Sequence, residues 1–147
     1  MYTAEEFDNA KTKVLKYVLY KKRSENEIRK KFVNVIEDSL LDDVIEYLKE
    51  AKYIDDSNYI ERTISNFMAL KNLSIKEIKY KLMAKGLDKN LIEDYLCAHK
   101  EELEEYEKKS AENIISKKSS SMDKEEIKIY LLKKGYKSDI INSILLD

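Results

Sequence analysis

Few side chains in this chain of 147 residues are suited to catalysis. It contains one cysteine, Cys97, and one histidine, His99. A thiol nucleophile needs a neighbouring base, and a zinc site needs several cysteine or histidine ligands. The sequence around Cys97 and His99 supplies neither. We therefore expect Cys97 to be a small buried thiol and His99 to be a surface or half-buried residue.

Two neighbouring aspartates, Asp55 and Asp56, are the remaining candidates for metal binding or acid-base chemistry. They stand at a break in the helical pattern, without further ligands close by. Carboxylates at the start of a helix are favoured by the helix dipole, by up to about 1 kcal/mol each. We expect a structural role for the pair, with Asp56 or Ser57 capping the helix that follows.

The two glycines of the chain, Gly86 and Gly135, stand far apart, and each is expected to be the left-handed residue just past the end of a helix. A phosphate-binding loop needs several glycines close together, so no nucleotide-binding loop of the usual kinds is expected. The sequence thus predicts a protein that is not an enzyme and that has no metal site and no cofactor.

Positively charged side chains are the groups that could bind a partner. Lysine and arginine total 28 against 29 acidic residues, and the net charge is close to zero at -1. The charges are nevertheless sorted along the chain, because residues 11–35 carry nine basic and two acidic side chains and residues 36–66 carry three basic and nine acidic ones. The alternation then repeats, so that basic first and second helices precede an acidic third helix.

The candidate binding residues are the basic side chains in and beside the second helix of each predicted repeat. They are Arg23, Arg29, Lys30, Lys31, Lys76, Lys79, Lys85, Lys128, Lys133 and Lys134. Stacked repeats would align them into one stripe suited to DNA phosphates or to an acidic protein groove. Alternatively, adjacent basic and acidic helices neutralise one another, and such surface charges contribute little to stability. The sequence leaves both explanations open.

A repeated motif predicts where the helices that carry these residues begin. A serine or aspartate followed three residues later by glutamate occurs at Ser24/Glu27, Ser74/Glu77 and Asp123/Glu126. In this capping box the first side chain accepts an amide proton of the opening helical turn, and the glutamate accepts the amide proton of the capping residue. Each pair therefore predicts a helix start, and Thr3 with Glu6 predicts another in the same way.

The residues behind the boxes repeat as well. Those after the second box, Ile78, Leu82, Gly86, Ile92 and Leu96, recur after the third as Ile127, Leu131, Gly135, Ile141 and Leu145. The first copy matches this pattern at Ile28 and Phe32, and its later apolar residues come two positions further on than in the other two copies. The period of about fifty residues is typical of stacked supersecondary units.

This period predicts an all-α fold of three tandem three-helix modules, forming an elongated, curved helical repeat array. The modules are expected at residues 1–54, 55–105 and 106–147. Two glycines and no prolines leave few helix breakers. We also expect the third helix of the second module to run on, with a bend, into the first helix of the third.

Composition indicates where in the cell the protein is located. Apolar residues make up 43% and charged residues 39%, and no apolar run approaches the roughly 20 residues that cross a bilayer. Met1 is followed by an acidic helical pattern and not by the basic and then apolar segments of a signal peptide. The expectation is a cytoplasmic monomer without a membrane partner, and a single cysteine is in keeping with a reducing compartment.

Three segments, taken in order, resemble the RecX family of regulators of the RecA recombinase. The stretch from Arg23 to Phe32 resembles the family's Arg-Ser-x-x-Glu-Leu motif with its following basic residues, Tyr53 to Tyr59 its Gly-Tyr-Leu-Asp-Asp stretch, and Leu82 to Leu87 its Leu-x-x-Lys-Gly-Ile. Lys52 stands where the family usually has glycine. Together the segments extend the resemblance over nearly the whole chain.

The resemblance implies a non-enzymatic protein that binds the RecA filament and, in most described cases, restrains its growth, ATP hydrolysis and strand exchange. It also implies DNA within or beside the filament as a further partner. Two other functions remain open from the residues alone. They are a stand-alone DNA-binding helical repeat module and an adaptor that binds only proteins.

Overall fold

The computed structural model describes residues 1–145, and every element assigned within that range is an α-helix. Leu146 and Asp147, the end of the third predicted module, lie outside the described residues. The helices are α1 (Ala4–Tyr20), α2 (Glu25–Phe32), α3 (Asp38–Glu50), α4 (Asp56–Leu70), α5 (Ile75–Ala84), α6 (Lys89–Ala98), α7 (Lys100–Lys118), α8 (Lys124–Lys134) and α9 (Ser138–Ile144). The predicted all-α fold class is confirmed.

The second helices begin where the capping boxes place them. Ser24 Oγ accepts the backbone N–H of Glu27 at 3.2 Å, and Glu27 Oε1 accepts the backbone N–H of Ser24 at 3.1 Å. The same reciprocal bonds start α5 at Ser74 and α8 at Asp123. Each box satisfies two amide groups that would otherwise lack partners at a helix end. The local sequence therefore fixes the first residue of each second helix.

The cap of α4 differs from the prediction. The helix begins at Asp56, so Asp56 and Ser57 lie inside it. Asp55 is the capping residue, because its Oδ1 atom accepts the backbone N–H of Asn58 at 3.1 Å. The expected capping by Asp56 or Ser57 is thus wrong by one position, and the Asp56 carboxylate is left to bind elsewhere.

Left-handed residues follow three of the helices. Gly86 and Gly135 have φ angles of +79° and +96°, a conformation in which side chains with a Cβ are strained. A Cβ at Gly135 would also lie 2.9 Å from the Cβ of Lys76. Lys52, after α3, has a φ of 68° without being glycine. Both glycine predictions are confirmed, and Lys52 carries the strain that glycine would avoid.

The helical backbone is interrupted at one residue, His99, between α6 and α7. His99 has φ −117° and ψ 29°, which is not helical, and its ring stacks on Tyr95 with 4.0 Å between ring centroids. The expected continuation of one bent helix is therefore replaced by two helices joined at a single residue. His99 is half-buried, as expected, whereas Cys97 is exposed. The prediction of a buried thiol is wrong.

Two compact units divide the chain. The first comprises Met1–Ile60 with Lys85–Leu87, and the second comprises Glu61–Ala84 with the chain from Asp88 onward. The division into three modules stays a prediction from the repeat. Its second boundary, at 105 and 106, falls within α7.

Each unit has its own apolar core. In the first unit Val14, Ile28 and Val44 are fully buried, so that α1, α2 and α3 all contribute. In the second unit a cluster of Ala111, Ile127, Leu131, Tyr136 and Ile141 joins α7, α8 and α9. Burying each large aliphatic side chain contributes about 1.5–3 kcal/mol. This packing holds the inner faces of α2 and α8, so their opposite faces are directed to solvent.

Candidate partner-binding site

All ten candidate basic residues lie on or beside the second helices. α2 carries Arg29, Lys30 and Lys31, α5 carries Lys76 and Lys79, α8 carries Lys128, Lys133 and Lys134, Arg23 precedes the Ser24 cap, and Lys85 follows α5. Because the boxes fix the helix starts, Arg29, Lys79 and Lys128 occupy the same position, five residues after their caps. The predicted correspondence between repeats is therefore present in the helices.

Arg29 is engaged within its own unit. Its Nε atom lies 3.0 Å from Glu25 Oε2, and its Nη1 atom lies 2.5 Å from Asp42 Oδ1 on α3. Lys49 Nζ also lies 3.0 Å from Glu25 Oε1. Burial disfavours the ionised form of Glu25, but the bonds from Lys49 and Arg29 outweigh it and lower its pKa. The charge of Arg29 is thus balanced by acidic residues and is not freely offered to a partner.

Lys79 repeats this arrangement in the second unit. Its Nζ atom lies 2.9 Å from Glu93 Oε1 on α6, and this ion pair lowers the pKa of Glu93. For Lys128 no carboxylate within 4 Å is recorded among residues 1–145. Acidic residues of the third helix therefore neutralise the basic side chain at two of the three equivalent positions, Arg29 and Lys79. Sequence reasoning did not name Asp42 and Glu93, although the acidic character of the third helices was the signal for them.

Arg23 is held against an aromatic ring. Its guanidinium carbon lies 4.1 Å from the centroid of Tyr17, and Lys31 Nζ lies 5.7 Å from the same ring. Such cation–π contacts contribute about 0.5–1 kcal/mol where they are exposed. Arg23 Nε is buried and has no hydrogen-bond partner in the described chain. Arg23 therefore contributes mainly to packing beside α2.

Several of the candidate lysines remain available to a partner. Exposed side chains without a recorded ion pair in the described part of the chain are Lys30, Lys31, Lys76, Lys85, Lys133 and Lys134. Lys134 lies near an aromatic ring, with its Nζ atom 5.6 Å from the centroid of Tyr130. This subset, together with the half-buried Lys128, carries the positive charge of the second helices that no ion pair in the described residues compensates.

Contacts between successive repeats bring some of these lysines together. In the second unit Ser74 Oγ donates a hydrogen bond to the backbone oxygen of Lys134 at 2.7 Å, and Gly135 abuts Lys76. In the first unit Gly86 abuts Asn26, and Lys85 lies close enough to Glu27 to favour its carboxylate. The lysine before each glycine therefore lies at the start of another second helix.

Two carboxylates from later helices complete these helix starts, a contact that sequence reasoning did not assign to either of them. Asp56 Oδ1 accepts the backbone N–H of Glu25 at 3.0 Å, and Glu107 Oε1 accepts that of Ile75 at 3.0 Å. Glu25 and Ile75 are the first residues of α2 and α5. Glu107 stands 51 positions after Asp56, close to the repeat period, and that spacing was the available signal. The structural role expected for the Asp55 and Asp56 pair is confirmed.

Across positions 1–145 no three histidine, cysteine, aspartate or glutamate side chains come together in a group that could hold a metal ion. None of the helices described is both long and apolar enough to traverse a bilayer.

Comparisons with known proteins identify the class. No family model matches the chain. RecX from Lactobacillus salivarius has a crystal structure that superposes with a TM-score of 0.82 at 26% identity, covering 98% of this chain and 97% of that one. A second crystal structure, of a regulatory protein RecX, superposes with a TM-score of 0.84 at 20% identity and covers 75% of its chain, which supports the fold alone. The fold is that of the helical-repeat regulatory proteins.

Sequence similarity identifies the family. The chain is 34% identical over 150 aligned positions to the regulatory protein RecX of Clostridium perfringens, covering 96% of this chain and 69% of the relative. It is 33% identical to that of Finegoldia magna, covering 67% of the relative. The Staphylococcus carnosus relative is 28% identical, and the chain spans about half of its length, 51%. This chain belongs to the RecX family.

Proposed function

We propose that this chain binds the RecA nucleoprotein filament and restrains its ATP hydrolysis, extension and strand exchange. Membership of the RecX family is the observation that carries the proposal, together with the resemblance of three chain segments to motifs of regulators of RecA. The chain acts without catalysis, as a cytoplasmic monomer, and its relatives are named regulatory proteins.

Uncompensated lysines on the second helices supply the physical basis for binding. Lys30, Lys31 and Lys133 are exposed, and within residues 1–145 no acidic side chain pairs with them. A filament on DNA presents phosphates, whose neutralisation by lysine releases counterions. Affinity for the filament should therefore fall as the salt concentration rises.

The experiment measures ATP hydrolysis by RecA on single-stranded DNA while this protein is added below the RecA concentration. A modulator lowers the hydrolysis rate at substoichiometric amounts. A simple DNA-binding protein lowers it only when enough is present to cover the DNA. Unchanged hydrolysis, with no binding to the filament in a sedimentation assay, would overturn the proposal.

Charge reversal tests the basic surface. The triple variant Lys30→Glu, Lys31→Glu and Lys133→Glu should weaken filament binding and flatten its salt dependence. Arg29 and Lys79 are left out, because reversing them would set like charges against their ion-pair partners and disturb the fold.

The control for this test reverses three exposed lysines outside the candidate set, Lys89, Lys100 and Lys108. The net charge changes by the same amount in both variants. Equal loss of binding in the two would show that only overall charge matters, whereas full retention in the first would exclude these lysines from the interface. An adaptor that binds only proteins would show no steep dependence on salt.

A further inference from the structure

Exposed apolar side chains recur at equivalent positions of two second helices. Tyr80 and Met83 on α5 are 59% and 39% exposed, and Ile129 and Leu132 on α8 are 52% and 43% exposed. They stand six and nine residues after the Ser74 and Asp123 caps. Residues three apart on a helix are neighbours on its surface. Each helix thus presents one outer apolar pair, Tyr80 with Met83 or Ile129 with Leu132.

The outer apolar pairs are separate from the packed faces of their helices. Ile78 and Leu82 are fully buried on α5, and Ile127 and Leu131 are buried on α8. Single exposed apolar residues are ordinary on protein surfaces. Larger exposed apolar surfaces mark sites that meet another molecule, and here an exposed apolar pair outside the core returns at the same two positions of a second repeat.

Charge limits what can cover the outer apolar pairs. α5 carries Lys76, Lys79 and Lys81 against Glu77, so its net charge is positive, and α8 carries four lysines against two glutamates. A second copy of this chain, docked through the same helices, would bring like charges together. The complementary surface is therefore acidic around an apolar centre.

The chemistry of the pairs separates protein from nucleic acid. Bases stack on aromatic rings, which offer a π-face. Met83, Ile129 and Leu132 have none, and only Tyr80 could stack in this way. Aliphatic side chains gain free energy by leaving water against other apolar side chains. Three of the four members therefore favour a protein surface over a single-stranded nucleic acid.

We propose that the outer apolar pairs of α5 and α8 dock on a surface of the partner protein that consists of apolar side chains ringed by carboxylates. This inference rests on the proposed function, with the protein component of the filament as the partner. The pairs supply the desolvated centre of the interface, and the lysines beside them supply its polar rim. Contact with the bound DNA falls to other lysines of the second helices.

Filament binding by a quadruple variant tests this proposal. Tyr80, Met83, Ile129 and Leu132 are each changed to Ser, and affinity is measured for RecA filaments formed on an oligodeoxythymidine and for the bare oligonucleotide. Removing apolar contacts from an interface centre should weaken filament binding about tenfold or more. Binding to the bare oligonucleotide should not change. Circular dichroism and melting check that the helices persist.

A matched control removes four exposed apolar side chains located elsewhere, Leu19, Tyr20, Val35 and Leu70. A second variant, Met83→Lys with Leu132→Lys, adds positive charge to the same surface. It should bind the bare oligonucleotide more tightly and the filament less tightly, which separates loss of apolar contact from loss of charge and from unfolding.

The outcomes divide as follows. Filament binding by the quadruple variant that equals that of the parent overturns this inference and leaves the proposed function standing. Parallel losses on the filament and the bare oligonucleotide overturn it in favour of stacking on nucleic acid. A parent protein that does not bind the filament overturns the proposed function, and this inference with it.

Discussion

Glu107 Oε1 lies 3.0 Å from the backbone nitrogen of Ile75, so a carboxylate on α7 caps the first amide of α5. Asp56 Oδ1 does the same for Glu25 at the start of α2. In both cases a carboxylate from a later helix completes a helix start whose other amides are satisfied by a capping box. The repeated pattern therefore includes, besides the caps, a polar contact between one repeat and the next.

The Glu107 contact predicts a measurable loss of stability. Glu107 is fully buried, and the change Glu107→Ala leaves the Ile75 amide without its partner. A buried amide that loses its acceptor costs about 1–3 kcal/mol, whereas Glu107→Gln keeps an acceptor oxygen and should cost less. Urea denaturation measures both, with the exposed Glu105→Ala on the same helix as control. Equal stability of Glu107→Ala and the control would mean that the contact contributes nothing.

The same carboxylate predicts a dependence on pH. Burial raises the pKa of Glu107 above its ordinary value of 4.5, against the opposing effects of the Ile75 amide and Lys137. A folded state that holds the proton more tightly loses stability as the pH rises from 4.5 through the folded pKa. Glu107→Gln does not titrate. The free energy of unfolding of the parent, relative to Glu107→Gln, should therefore decrease between pH 4.5 and pH 7, and an increase would contradict the prediction.

The three equivalent caps are expected to differ in strength. Ser74 is fully buried, and its hydroxyl both accepts the Glu77 amide and donates to the Lys134 backbone oxygen, whereas Asp123 is exposed and only accepts. Losing a cap costs about 1 kcal/mol, and the additional buried bond costs about 1 kcal/mol more. Thermal or urea unfolding should rank Ser74→Ala as more destabilising than Asp123→Ala.

The exposed Ser65→Ala, within α4, serves as the control for these cap variants. Alanine is favoured over serine in a helix interior, so this change should not destabilise. If Ser74→Ala and Asp123→Ala lose equal stability, the bond from Ser74 to Lys134 is without energetic effect.

Lys52 offers a stabilising substitution. Its φ of 68° places a residue with a Cβ in the left-handed region, which costs about 1–2 kcal/mol. Lys52→Gly removes this strain, although glycine gains more freedom on unfolding, and should raise the free energy of unfolding by about 1 kcal/mol. Lys52→Ala retains the Cβ and should bring no such gain. A glycine variant no more stable than the alanine variant would refute the explanation.

Local patterns predicted the parts of the site that depend on neighbours in the chain. The capping boxes at Ser24, Ser74 and Asp123 placed the second helices correctly, because cap and glutamate are three residues apart and interact through the first helical turn. Gly86 and Gly135 were read as helix ends for an equally local reason, their access to positive φ. The candidate lysines accordingly lie on the helices that the sequence assigned to them.

Pairing between distant residues was less predictable. Arg29 and Asp42 are 13 positions apart, and Glu107 and Ile75 are 32 apart. Sorting of charge along the chain suggested that basic and acidic helices could neutralise one another, without indicating which side chains would meet. A one-residue change in where a helix starts, as at Asp55, also alters which carboxylate caps and which is free to bind another helix.

The sequence by itself determined the helical class, the repeat and the starts of the second helices, since these depend on contacts within a few residues. Only the tertiary structure decided that acidic residues neutralise the charges of Arg29 and Lys79, that Cys97 is exposed and that the helix is interrupted at His99. Those outcomes depend on how helices pack against one another. Packing therefore divides the basic residues into those that hold the fold together and those left available for a partner.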